Sequence, residues 1–329
     1  MLSLRRGQVT RIAERVEGLV RLEVGGRACI AYPRLTGPVS LGDDVVVNAQ
    51  ALDLGLGSGG FDVLYVNVTR GLGRAGEEGA HVMKLPYTPL QHAVHHAEED
   101  TQDDPDVRLD GMPVVCCSLH SQVAPVFAGL GGDIPSAYVQ LPGGALPVSL
   151  SDTVRELRRR GLLRAAAAVG PCIDGDVGCV STASALVWAA RAGMRTVVCA
   201  IGPGVAGTRT RLGHGGTAAA DAANAACALA GRAIVVPRVS DADPRERHRG
   251  LSHHTRAIAE LALGPITVPW PADRPVPDVS FPLEPVDVTG WQEACAGLPL
   301  APMGRGPDED PWFFAAAFAA GRLARALVS

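Results

Sequence analysis

Five short apolar runs of strand type, each ending in glycine, proline or polar residues and followed by a helix-like stretch, constrain this chain more than any other feature. They span 113–117, 137–141, 165–169, 195–201 and 233–236. Such alternation predicts a parallel sheet with helices on both faces. Helical patterns cover 121–130, 151–160, 177–192, 217–230 and 252–263, with start signals at Ser151, Asp176, Thr217 and Ser252. Gly161, Gly193, Gly231 and Gly264 follow them as C-terminal caps should. A sixth strand is expected at 266–269, irregular proline-rich chain over 270–310 and a last helix over 312–328.

Residues 7–68 follow another rule. Short alternating or β-rich segments at 8–16, 19–24, 27–32, 44–49 and 61–68 are separated by the turns Gly25-Gly26 and Gly42-Asp43, which predicts a small barrel. Gly55, Gly57, Gly59 and Gly60 mark a corner before its last strand. The expected organisation is an SH3- or OB-like β-barrel over 1–75, a linker over 76–110 and a Rossmann-like α/β domain over 111–329. The linker should carry a short helix at 88–97 and an acidic run at 98–106.

Composition narrows the function classes. A length of 329 residues, 47% of them apolar, suits two domains with a sizeable core. A net charge of −4 and only 4% aromatic residues disfavour nucleic acid and an anionic membrane as partners. Eight cysteines without zinc-type spacing, no signal-peptide core and no membrane-length apolar run lead to the expectation of a reduced, cytoplasmic protein. A single lysine, Lys84, stands among 30 basic residues, which marks a position where a compact ammonium is required.

Open parallel sheets collect ligands at the carboxyl ends of their strands, so the polar segments there are the candidate site. Gly202-Pro203-Gly204-Val205-Ala206-Gly207 has the spacing of a dinucleotide fingerprint, but about nine residues separate it from the next helix and Pro203 lacks an amide donor. A nicotinamide cofactor is therefore disfavoured, and a glycine-rich anion loop over 202–216 is expected. Candidate anion ligands are Gly202, Gly204, Gly207, Thr208, His214, Ser121, Arg238, Arg245 and Lys84. The densest chemistry lies in 238–255, where His253 and His254 are candidate acid/base groups and Asp241 and Asp243 their orienting partners. Adjacent histidines should diverge, so one is expected to act while the other packs. His120 is a further catalytic candidate at the end of the first strand. Asp174 and Asp176, flanking Gly175, could hold a hard divalent metal, the one cofactor the residues suggest. Cys172 occupies a possible nucleophile position, and His92, His95, His96 and Glu99 have zinc-compatible helical spacing without the HExxH pattern.

Together, 79–91 (Gly-Ala-His-Val-Met-Lys-Leu-Pro-Tyr-Thr-Pro-Leu-Gln), Gly111-Met112-Pro113-Val114-Val115, Leu119-His120-Ser121, 202–208 and Ser252-His253-His254-Thr255 resemble an uncharacterised bacterial family, the Domain of Unknown Function 3866 family. The resemblance spans almost the whole chain and implies no particular activity. The expectation is a hydrolase or transferase for a phosphorylated or nucleotide-like ligand. Rival readings are a non-catalytic sensor or assembly factor and a nucleic-acid-associated protein using the barrel. A homo-oligomer stays open.

Overall fold

The computed structural model describes residues 2–55, 59–100, 107–300 and 304–328. Of the sequence readings, Gly57 and the acidic run from 101 onward lie outside the described residues. The chain forms two compact units, Met1–His95 and His96–Ser329.

In the first unit, β1 (Leu4–Val16), β2 (Leu19–Val24), β3 (Arg27–Ala31), β4 (Asp44–Asn48) and β5 (Asp62–Asn67) close into a barrel in the order β1-β2-β3-β5-β4. Strand alternation sends Val9, Val20, Leu22, Val24, Cys29, Val45, Val47 and Leu64 into one core. Single-turn helices α1 (Pro33–Thr36) and α2 (Gln50–Asp53) sit in the connections. The expected helix over 88–97 is not formed. Strand β7 (His92–Val94) pairs antiparallel with β6 (Val82–Lys84), followed by a 3-10 turn at Ala97–Asp100. Pro86 and Pro89 push their predecessors out of helical geometry, and Leu85 and Tyr87 take positive φ of 48° and 59°. The helical zinc spacing of His92, His95, His96 and Glu99 disappears with it.

The second unit is the expected α/β layer structure. Its eight strands are β8 (Pro113–Cys117), β9 (Ser136–Leu141), β10 (Ala165–Val169), β11 (Val177–Cys179), β12 (Thr196–Ile201), β13 (Arg232–Val235), β16 (Ile266–Pro271) and β17 (Leu283–Val286). They are all parallel, in the order β11-β10-β9-β12-β8-β13-β16-β17. A two-stranded ribbon, β14 (Val239–Ser240) with β15 (Gly250–Leu251), branches off after β13. Val114 and Cys116 face one layer with α5 (Thr182–Arg191) and α6 (Ala218–Ala228), whereas Val115 and Cys117 face the other. That second layer contains α3 (Val123–Leu130), α4 (Asp152–Arg159) and α9 (Pro311–Val328). Helix α7 (His253–Leu261) precedes β16, and α8 (Trp291–Ala294) precedes α9. The contact between α3 and α9 is backbone-close. A Cβ on Gly321 would lie 2.0 Å from the Val126 carbonyl oxygen, and one on Gly129 would lie 2.4 Å from that of Phe318.

Two edge strands escape the sequence reading. Residues 177–179 begin the expected helix 177–192 but instead add β11 to the sheet, and the helix is capped by Ser181 rather than Asp176. Strand β17 lies in the segment expected to be irregular. The expected cap Gly231 is displaced by one residue. Ala230 takes the left-handed conformation at φ 58°, while Gly231 packs where a Cβ would stand 2.9 Å from Leu109.

Candidate functional site

From β8 the chain leaves toward β9 through α3 on one face, and from β12 it leaves toward β13 through α6 on the other. β8 and β12 are neighbours, so their carboxyl ends form a switch point, the usual ligand position in open α/β sheets. The loops that meet there pack backbone against backbone. A Cβ on Gly215 would lie 1.9 Å from the Gly143 carbonyl oxygen, and one on Gly202 would lie 2.1 Å from that of Ala145.

One polar centre surrounds His120. Its Nδ1 lies 3.3 Å from the Ile201 carbonyl at the end of β12, and the Ser151 hydroxyl lies 2.7 Å from Nε2. Ser151 also caps α4 by accepting the Val154 amide at 3.0 Å, which leaves its proton for His120. Tyr138 lies 3.3 Å from the same imidazole, and its hydroxyl donates to Gln140 at 3.2 Å. Gln140 in turn donates to the carbonyls of Ala145 and Leu146 at 3.1 and 2.7 Å. Burial pushes the His120 pKa down to about 4, so the ring is neutral. Ser121 shares the 3-10 turn His120–Gln122.

The second centre is built by the excursions after β12 and β13. The β14–β15 ribbon returns the chain to β13, where the Arg238 amide donates to Thr255 Oγ at 2.8 Å. This brings Arg238, His248 and the first turn of α7 together. Ser252 caps α7, its hydroxyl oxygen accepting the His254 amide at 3.2 Å and lying 2.7 Å from His248 Nδ1. From the other excursion, His214 stacks on His254 with centroids 3.6 Å apart and planes 8° apart. The His253 ring meets both edge-on, at 4.6 Å from His254 and 5.7 Å from His214. The adjacent histidines do not diverge as expected. Standing at the start of α7 and covered by His214, they converge, and one nitrogen from each of His214, His253 and His254 lies within 4.8 Å of the others.

Charge surrounds these rings. Arg238, 4% exposed, reaches Asp243 at 3.2 Å and donates to His254 Nδ1 at 3.3 Å. Asp243 is fully buried and also binds Arg245 at 2.8 Å and Arg305 at 3.4 Å. Burial alone would raise its carboxyl pKa, but the Arg245 hydrogen bonds and the neighbouring guanidiniums hold it well below the usual range. Burial brings the Arg238 guanidinium down to about 10 against the pull of Asp243. Burial, reinforced by Arg238, lowers His248 to about 3 and His254 to about 2. Burial also lowers His214 and His253. For His214 a backbone group of Arg211 acts the other way, without reaching the geometry of a formed hydrogen bond. Both His214 ring nitrogens and His253 Nε2 are buried without a hydrogen-bond partner among the described residues. Buried polar atoms are usually satisfied, so these three, with Nε of Arg238, Arg247 and Arg305, have capacity for a further partner.

Other expected site residues lie elsewhere. Asp241 is exposed and pairs with Arg274 at 2.5 Å, so it orients no histidine. The glycine-rich loop uses much of its own hydrogen bonding internally. The Thr208 amide and hydroxyl bond the Gly213 carbonyl at 2.7 and 3.1 Å, and Gly207 bridges His214. Gly204 lies in the exposed part of that loop with φ 75°. Asp174 accepts the Ser149 hydroxyl at 2.7 Å. Asp176 instead accepts the Ala166 amide at 2.7 Å, near the start of β10, and pairs with Arg158. Lys84 belongs to the first unit, buried on β6. Cys172 is fully buried in the α3 layer. Sequence reading missed Arg305 and Asp310, which accepts from Ser240 at 2.6 Å, because both come from the proline-rich segment, 62 and 70 residues from their partners. It also missed Tyr138 and Gln140, hidden in an apolar strand pattern.

The molecule is thus a barrel-bearing Rossmann-like α/β protein with a histidine–arginine centre at its sheet's switch point. Its sequence matches the family described as "Protein of unknown function (DUF3866)" over residues 28–321, and the chain belongs to that family. No curated protein matches it. Among the described residues no helix is long and apolar enough to cross a membrane.

Proposed function

We propose that this protein is an enzyme, a hydrolase or transferase, that binds a small phosphate-bearing anion at the carboxyl rim of its parallel sheet. The supporting observation is the group of unprotonated, partly unpartnered imidazoles beside the buried guanidinium of Arg238. Three guanidiniums, of Arg238, Arg245 and Arg305, outnumber the carboxylates of Asp243 and Asp310 there, which leaves a positive charge for an anion. Neutral imidazoles provide lone pairs at ordinary pH, the requirement for activating water or a hydroxyl.

The test is calorimetric titration with inorganic phosphate and nucleoside phosphates, paired with a turnover screen on phosphate esters. Arg245→Met should weaken anion binding at least tenfold, the loss of about one charge-assisted hydrogen bond. His253→Ala should abolish turnover. Absence of anion binding in the wild type defeats the proposal. Binding without turnover on any substrate leaves a ligand sensor or assembly factor.

A further inference from the structure

We propose that His214, His253 and His254 together hold one transition-metal ion, with zinc the expected occupant. This deepens the reading above, because the imidazoles then act on the bound anion through the ion.

Three rings from two excursions meet at one place, although His214 and His254 lie parallel at 3.6 Å and must tilt apart to aim their lone pairs at one ion. One nitrogen from each ring lies within 4.8 Å of the others. Zinc–nitrogen bonds of 2.0–2.1 Å in a tetrahedron require separations of about 3.3 Å, so closure needs movements of about 1.5 Å, within reach of side-chain torsions. The three rings come from two excursions that share a rigid frame. His214 is held by the backbone contact of Gly215 with Gly143, and His253 and His254 by the cap of α7 on Ser252. Among the described residues, both nitrogens of His214, which is 6% exposed, lack partners, as does Nε2 of His253. An imidazole that merely fills space would turn a nitrogen toward a carbonyl. His92 and His95 do so in the β6–β7 segment, at 2.9 Å from Leu90 and 3.0 Å from Glu78.

The donor set selects the ion. Three neutral nitrogens without an oxygen or thiolate suit zinc, copper or nickel and suit calcium or magnesium poorly. Three protein ligands also leave a coordination position for water or a substrate oxygen, the pattern of catalytic rather than structural zinc.

Arg238 sets the condition for loading. It donates to His254 Nδ1, so an ion can take that ring only when the guanidinium lets go. Asp243 at 3.2 Å gives the guanidinium a partner to retain. Arg238 thus occupies the lone pair in the metal-free protein and, once released, adds its charge to the anion site.

The experiment uses the full chain, stripped with a chelator and titrated with cobalt(II), read by visible absorption, and with zinc against a chromophoric chelator. The expected result is one ion per chain, with the absorption of tetrahedral or five-coordinate cobalt. His214→Ala, His253→Ala and His254→Ala should each weaken binding at least about 100-fold, since losing even an outer-shell partner costs 10–100-fold. His92→Ala and His95→Ala should leave it unchanged. His253→Gln, at the half-buried ring, tests the site should the other substitutions unfold the rim. No stoichiometric uptake by the wild type, or uptake unaffected by all the site substitutions, overturns the proposal. Phosphate binding by a chain that takes up no metal also overturns it while leaving the anion reading standing. One ion bound with no affinity for phosphate does the reverse.

Discussion

Two polar centres share the rim of one sheet, and they differ in how their hydrogen bonds are closed. Around His120, both ring nitrogens have partners, and the chain of bonds runs through Ser151, Tyr138 and Gln140 to backbone carbonyls. Around His214, two rings leave nitrogens without a partner among the described residues, next to a buried arginine. His120 and His253 are both partly buried, so exposure alone does not explain the contrast. A closed network fixes loops; one left open has a free energy to gain from a ligand. The first centre therefore reads as the frame of the rim and the second as its working part, although the sequence offered His120 and His253 on the same footing.

The largest expected effect falls on the charge that supports the second centre. Asp243→Asn removes the carboxylate shared by Arg238, Arg245 and Arg305 and turns an amide toward guanidiniums. Breaking a buried ion pair on one side costs about 3–5 kcal/mol. Urea denaturation should show that loss. An unchanged midpoint would mean that the arginines are solvated in solution and that the contrast between the two centres is false.

His120→Ala comes next. It strands the Ser151 hydroxyl and the Ile201 carbonyl and opens a cavity, at an expected cost of about 2–3 kcal/mol. The same group gives a pH signature. Its folded pKa of about 4 lies below the value of about 6.5 for an unfolded histidine, so the unfolded chain takes up the proton first. The stability tied to a neutral His120 is complete above pH 6.5 and drains away as pH falls toward 4. The wild type should lose up to about 3 kcal/mol more over that interval than His120→Ala does. Parallel pH profiles would place His120 in water and cancel its framing role.

How much of this was legible in the sequence follows from distance along the chain. Strand and helix order is written in local periodicity, and the five central strands and the barrel appear where alternation and turn residues put them. Strands β11 and β17 did not, because edge strands of three and four residues have too few positions to show a period. Strand β7 falls within the expected helix 88–97, because Pro89 fits a helix start as well as a turn. At the site, Arg238, Asp243, Arg245, His253 and His254 were readable as one dense segment. Their connection to His214 was not, since nothing local says that the loop after β12 folds over the start of α7. The convergence of neighbouring histidines was missed for the same reason, since a third ring from elsewhere completes the cluster. Arg305 and Asp310 joined only through the fold.

The smallest expected effect separates two aspartates that the sequence treated alike. Asp241 and Asp243 lie two residues apart, but the ribbon turn sends the first to solvent and the second inward. Asp241 meets Arg274, which also lies over Trp312 with its charge centre 4.8 Å from the ring. The guanidinium keeps that aromatic support when the carboxylate is lost, and an exposed pair contributes about 0.5 kcal/mol or less. Asp241→Asn should therefore move the denaturation midpoint barely above error, and phosphate and metal affinities should match the wild type. A loss of either affinity would carry the working centre out to the surface end of the ribbon, where Asp241 would count as one of its residues.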